Sequence, residues 1–191
     1  MKTVEISGLI EGLRGIPDET FDCDTVYRFL GENPIDVGSI SRYFFWSEKF
    51  YTRNLIYKDE RFEMMALCWE SGQVSRVHNH ADQRCWMTVP VGKLRGQNFA
   101  VEEIDESRSY CRLTETDKFD LSDCLAAKVE LEQPIHQILN LAEFNERAVS
   151  LHIYSKPFDR CVSYCRDTDT FKEVPLFYTS IDGRLCDNIR L

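Results

Sequence analysis

The stretch G-Q-V-S-R-V-H-N-H-A-D-Q-R-C-W-M-T-V-P-V-G, residues 72–92, decides how the chain is read. Glycines bracket it, His78 and His80 stand two apart, and Cys85 follows five positions after His80. Residues two apart on an extended strand project to the same side, so the two imidazoles share a face. Taken alone, a His-x-His pair is weak, because short motifs arise by chance and a half-buried, hydrogen-bonded imidazole is the commoner fate of a histidine. The other two histidines, His136 and His152, also fall in or beside stretches of strand periodicity.

Outward from that stretch the period of the chain changes once. Near the N-terminus Ile6, Leu9, Ile10 and Leu13 recur at helical spacing, and Asp24 is placed to cap a second helix carrying Val26, Phe29 and Leu30. From about residue 50 the period is two, which predicts strands at 50–57, 62–69, 76–79, 85–91, 97–104, 109–113, 127–131, 136–141, 148–154 and 161–164. Many short strands with turns between them make a mainly β sandwich or barrel. At 191 residues one domain is expected, residues 1–191, with 1–45 a helical cover and 46–191 a β-barrel and C-terminal strands.

Three strands carry polar side chains in rows. Ser150, His152 and Tyr154 alternate with Val149, Leu151 and Ile153; His78 pairs with His80, and Tyr51 with Arg53. Such faces must meet something polar.

Composition narrows the function classes. A net charge of −9 repels phosphate backbones and anionic lipid, so neither nucleic acid nor a membrane is an expected partner. No apolar run is long enough to span a bilayer, and the first residues mix charge into every turn, unlike a signal peptide. The eight cysteines read as free thiols of a reducing cytoplasm, and Cys161-x3-Cys165 lacks the second pair that a zinc ribbon needs.

Apart from one letter, residues 72–92 match the first cupin motif, G-x5-H-x-H-x3,4-E-x6-G, with Cys85 where the glutamate should be. Pro134, His136 and Asn140 resemble the second motif. The resemblance implies a small antiparallel, jelly-roll-like barrel whose remaining ligands are His78, His80 and His136. Three neutral imidazoles leave half an octahedron open and leave the ion its full charge, enough to take the proton from a coordinating thiol. Ligand type alone does not choose among Zn, Ni, Cu and Fe. A second set, His78, His80 and Asp82, also suits Fe(II), but the turn after His80 is expected to carry Asp82 to solvent.

Y-T-R-N (51–54), L-C-W (67–69), the His78–Cys85 stretch, His136-x3-Asn140, A-V-S-L-H-I-Y-S (148–155) and P-F-D-R-C (157–161) together resemble cysteine dioxygenase, in order and in spacing. That resemblance implies an iron(II) enzyme adding both atoms of dioxygen to the sulfur of L-cysteine, with cysteine sulfinate as product. It implies iron on His78, His80 and His136, a substrate carboxylate on Arg53 with Tyr51 beside it, and Tyr154 aimed at substrate and oxygen, held by His152 and Ser150. In animal-type members the cysteine matching Cys85 is joined to the tyrosine matching Tyr154 by a thioether, a protein-derived cofactor. Cys161 matches a cysteine near the pocket mouth, where an inert wall residue is an equal expectation. A monomer is expected.

Two positions depart from the family pattern. Asn79 replaces an aspartate and should face away from the metal. Lys156 replaces the first proline of a Ser-Pro-Pro-Phe run whose Ser-Pro bond is cis, so the isomer at Ser155–Lys156 is open. The rival readings are a dioxygenase of 3-mercaptopropionate and a non-catalytic, metal-binding cupin. Cysteamine is disfavoured because it would leave Arg53 without a carboxylate.

Overall fold

The computed structural model describes residues 2–129, 134–187 and 191. Three helices lead: α1 (Ile6–Gly15), α2 (Cys23–Glu32) and α3 (Val37–Ile40). α1 buries Leu9 and Leu13, and α2 buries Val26 and Leu30, each pair one helical turn apart. The cap of α2 is Asp22, not Asp24: the Asp22 carboxylate accepts from the Thr25 N–H at 2.8 Å. Asp24 sits inside the first turn and reaches Lys128 at 2.6 Å instead.

Thirteen strands follow among the described residues: β1 (Thr52–Lys58), β2 (Glu63–Trp69), β3 (Val77–His78), β4 (Arg84–Val91), β5 (Leu94–Asp105), β6 (Tyr110–Leu121), β7 (Ala126–Val129), β8 (His136–Leu139), β9 (Ala148–Ser155), β10 (Arg160–Cys165), β11 (Thr170–Pro175), β12 (Ser180–Ile181) and β13 (Arg184–Leu185). One sheet runs β13-β12-β1-β2-β9-β4-β7, and the other six strands close on themselves as β10-β11-β6-β5-β8-β3. This is the mainly β, cupin-type barrel expected from the sequence, with short N-terminal helices. Its strand pairs are antiparallel except β1 with β12, which is parallel. Residues 130 and 131 of the strand expected at 127–131 lie outside the described residues.

β2 explains the arrangement. All seven of its residues are buried, because both its faces are covered. Met64, Ala66 and Cys68 join the helical side with Leu9, Leu13, Val26 and Leu30. Met65, Leu67 and Trp69 face the other way, into a cluster with Cys85, Met87, Val89 and Tyr154. The helices therefore cover the outside of the larger sheet, and its inner face is left for the site. Among the described residues no helix is long and apolar enough to cross a membrane.

The motif glycines do what their positions suggested. Gly72 (φ 87°) and Gly92 (φ 68°) turn the chain at the two ends of the stretch, in a backbone region that other residues rarely adopt.

Candidate metal centre

β3 and β8 pair at a single position, His78 opposite His136, and the turn after β3 folds His80 back beside them. The ligand atoms of the three rings all lie within 4.8 Å of one another. His80 and His136 are buried, their Nε2 atoms 3.1 Å apart, and His78 is half-buried. Nδ1 of His78 lies 2.8 Å from the Arg76 carbonyl, which fixes the proton there and leaves Nε2 with its lone pair free. Burial, reinforced by the neighbouring imidazoles, drives the pKa values of His80 and His136 well down, and burial takes His78 to about 4. All three are therefore neutral, as metal ligands must be. His80 Nδ1 is buried without a partner. Converging neutral rings with so little hydrogen bonding among them fit a cation between them.

Among the described residues no carboxylate belongs to the cluster. Asp82 is exposed, on a backbone with φ 61°, so the His78, His80 and Asp82 set does not form. Asn79 turns outward, its Oδ1 accepting from the Val162 N–H at 3.0 Å. The Ser155–Lys156 peptide is cis.

The polar row on β9 is a continuous chain. Trp69 Nε1–H donates to Ser150 Oγ at 3.0 Å, Ser150 lies 2.9 Å from His152 Nε2, and His152 Nδ1 lies 3.1 Å from the Tyr154 hydroxyl. An indole can only donate. In the tautomer protonated on Nδ1, Ser150 gives its own hydrogen to Nε2 and the imidazole donates to the Tyr154 oxygen. The Tyr154 hydrogen is thereby free to point away from His152. Burial holds His152 neutral, with a pKa of about 3, and raises that of Tyr154 well above the ordinary phenol value. Cys85 on β4 stands directly opposite Tyr154 on β9, so their side chains share a face as cross-strand neighbours. Burial keeps the Cys85 thiol protonated.

Arg53 on β1 completes the site. Its Nε and Nη2 are buried with no hydrogen-bond partner, although unpartnered buried charge is costly. Tyr51 stacks on Trp69, ring centroids 4.2 Å apart. Tyr51, Arg53, His78, His80, Tyr154 and Cys161 line one cavity of about 790 Å³. Burial raises the Cys161 thiol pKa, so it enters the wall as a neutral group. His136 and the Ser150–His152 pair stand behind this lining. Sequence reading missed Trp69 as the donor that orients Ser150, and missed Glu63 and Tyr178, whose signal would have been an acid inside a wholly apolar strand.

The family model for cysteine dioxygenase type I matches residues 8–167. The chain belongs to that family. It is 31% identical over 134 residues to cysteine dioxygenase type 1 of Bos taurus, an alignment covering 70% of this chain and 64% of the bovine protein. The Rattus norvegicus protein is 30% identical with the same coverage, and the Danio rerio protein 28% identical over 70% of this chain and 65% of its own. The alignments thus span slightly less than two thirds of these relatives. Among solved structures, TT1209 from Thermus thermophilus gives a TM-score of 0.45 at 16% identity, covering 62% of this chain and 95% of that one. A double-stranded β-helix protein from Klebsiella pneumoniae gives 0.46 at 14%, covering 72% and 88%.

Proposed function

We propose that this protein is an iron(II)-dependent dioxygenase converting the thiol of L-cysteine to the sulfinate. The observation that carries the reading is Arg53: a half-buried guanidinium with two buried, unpartnered nitrogens lines the same cavity as His78 and His80, with His136 converging on them from behind, and so suits a carboxylate on a molecule that also reaches the metal. The family supports cysteine as that molecule. The reaction balances without another reactant: a thiol plus dioxygen gives a sulfinic acid, both oxygen atoms ending on a sulfur oxidised by four electrons.

His78, His80 and His136 would hold the iron. Bound iron would supply the dioxygen chemistry that side chains lack and would acidify the substrate thiol. The protein's own residues do the rest. Arg53 takes the carboxylate through paired hydrogen bonds, and Tyr51 lines the pocket beside it. Tyr154, its oxygen fixed by His152 and Ser150, presents its hydrogen to the substrate side. Cys161 is wall. We assign Cys85 and Tyr154 to a thioether: the S–H and a ring C–H break, a sulfur–carbon bond forms, and the two hydrogens with their electrons pass to dioxygen. We further propose one domain over residues 1–191, supported by a core that joins α1 and α2 to β2 and β9, and a cytoplasmic monomer.

Oxygen uptake by the Fe(II)-loaded protein with a panel of small thiols tests the reading. L-Cysteine should give the highest kcat/KM, with sulfinate formed. A preference for 3-mercaptopropionate would reassign the substrate, and no uptake with any thiol would favour a metal-binding cupin.

A further inference from the structure

The family match ends at residue 167, yet Leu176, Phe177, Tyr178 and Thr179 line the same cavity. Tyr178 is held there by an unusual device. Its hydroxyl donates to Oε2 of Glu63, a carboxylate with no exposed surface, and accepts from Lys58 Nζ at 3.2 Å. Lys58 Nζ lies 3.8 Å from the same Glu63 oxygen. Glu63 stands opposite Tyr154 across the β2–β9 pair, on the face that looks into the barrel, and its Oε1 is buried without a partner. An acid in an otherwise apolar strand, buried and half satisfied, costs stability, and what it gains in the structure is a fixed phenol.

The position of that phenol is informative. The residue after it, Thr179, donates its N–H to the Arg53 carbonyl at 2.7 Å and accepts the Arg53 N–H on its hydroxyl at 3.0 Å. Tyr178 is thus tied to the strand that carries the guanidinium. Its half-buried ring packs against the cluster containing Tyr154. Arg53 and Tyr178 line one cavity, so a ligand whose carboxylate lies on Arg53 shares that cavity with the Tyr178 ring.

We propose that Tyr178 is a specificity-determining residue that closes the pocket at its carboxylate end, and that Glu63 and Lys58 are positioning residues that hold its ring there. The inference rests on the cysteine reading proposed above. It separates short thiol acids, which end at the carboxylate, from thiols extended through that carbon, such as L-cysteinylglycine.

The test compares L-cysteine with L-cysteinylglycine, as kcat/KM on the Fe(II)-loaded protein and as calorimetric binding to the metal-free protein. Tyr178→Ala should cut the preference for cysteine by about tenfold, chiefly by lowering KM for the dipeptide. Glu63→Ala should move the ratio the same way, whereas Glu63→Gln, whose amide oxygen still accepts the phenol hydrogen, should retain the discrimination. A merely structural role would depress both substrates alike and leave the ratio alone. A folded Tyr178→Ala protein whose ratios stay within about twofold of the parent's in both measurements overturns the proposal. If the parent oxidises neither thiol, the cysteine reading fails, and the binding ratio on metal-free protein still decides the role of Tyr178.

Discussion

Arg53 sets function against stability at a single residue. Two of its nitrogens are buried and unpartnered, so the ligand-free chain carries a charge that it does not satisfy. Arg53→Met should therefore lower kcat/KM for cysteine by about 100-fold or more, the loss of two charge-assisted hydrogen bonds. The same variant should melt about 2–4 °C higher than the parent when metal and substrate are absent, as read by a thermal scan. At Cys85 and Tyr154 the expected readout is mass. Aerobically matured protein should contain chains lighter than the sequence mass by two hydrogens, whereas Cys85→Ser and Tyr154→Phe should stay at their sequence masses in intact mass spectrometry. His78 with His80, Arg53 with Tyr51, and the Ser150, His152 and Tyr154 row showed as polar residues at period two, whereas His136 was reached through its likeness to the second cupin motif. The roles of Trp69 and Glu63 were not legible, since each lies within the expected strand 62–69 and only the fold shows that the Trp69 indole meets Ser150 and that Glu63 meets Tyr178.

The elements place these residues through register. β2, β9 and β4 align Glu63, Tyr154 and Cys85 in one row, so a slip by one residue would send all three to the opposite face. Gly92 guards that register at the end of β4. A Cβ there would lie 2.3 Å from the Arg147 carbonyl oxygen, at a φ that resists side chains. Gly92→Ala should cost about 2–4 kcal/mol in denaturant unfolding. Strands with alternating apolar residues were readable from sequence. The far half of β6 was not, because T-E-T-D-K-F-D alternates little and pairs with β5 as a charged arm in which Asp120 meets Arg95 at 2.7 Å. β11 shows only Phe171 and Val174 as partly buried apolar residues, and β12 and β13 have two residues each, too few to show a period. The cap of α2 was misplaced by two positions because Asp22 and Asp24 are equally plausible as letters, and only the Thr25 N–H chooses between them.

Across the whole molecule, four buried or half-buried neutral histidines make stability depend on acid. His78 and His152 have folded pKa values of about 4 and about 3, and those of His80 and His136 are also depressed, against an ordinary 6.5. Below about pH 6.5 the unfolded chain binds protons that the folded chain refuses, so metal-free stability should fall as pH drops from about 6.5 toward 4 and be flat in this respect above 7. Denaturant midpoints at pH 7.5 and pH 5 check the sign; a higher midpoint at pH 5 would contradict it. The same neutrality is what allows three rings to share one cation. The most direct measurement is X-ray absorption at the iron edge on anaerobic, Fe(II)-reconstituted protein before and after L-cysteine. One iron per chain in a sphere of light-atom, imidazole-containing ligands should gain a sulfur when the amino acid is added. An iron that acquires no sulfur, or a His136→Ala protein that binds iron as tightly as the parent, would contradict a three-histidine site built to receive a thiol.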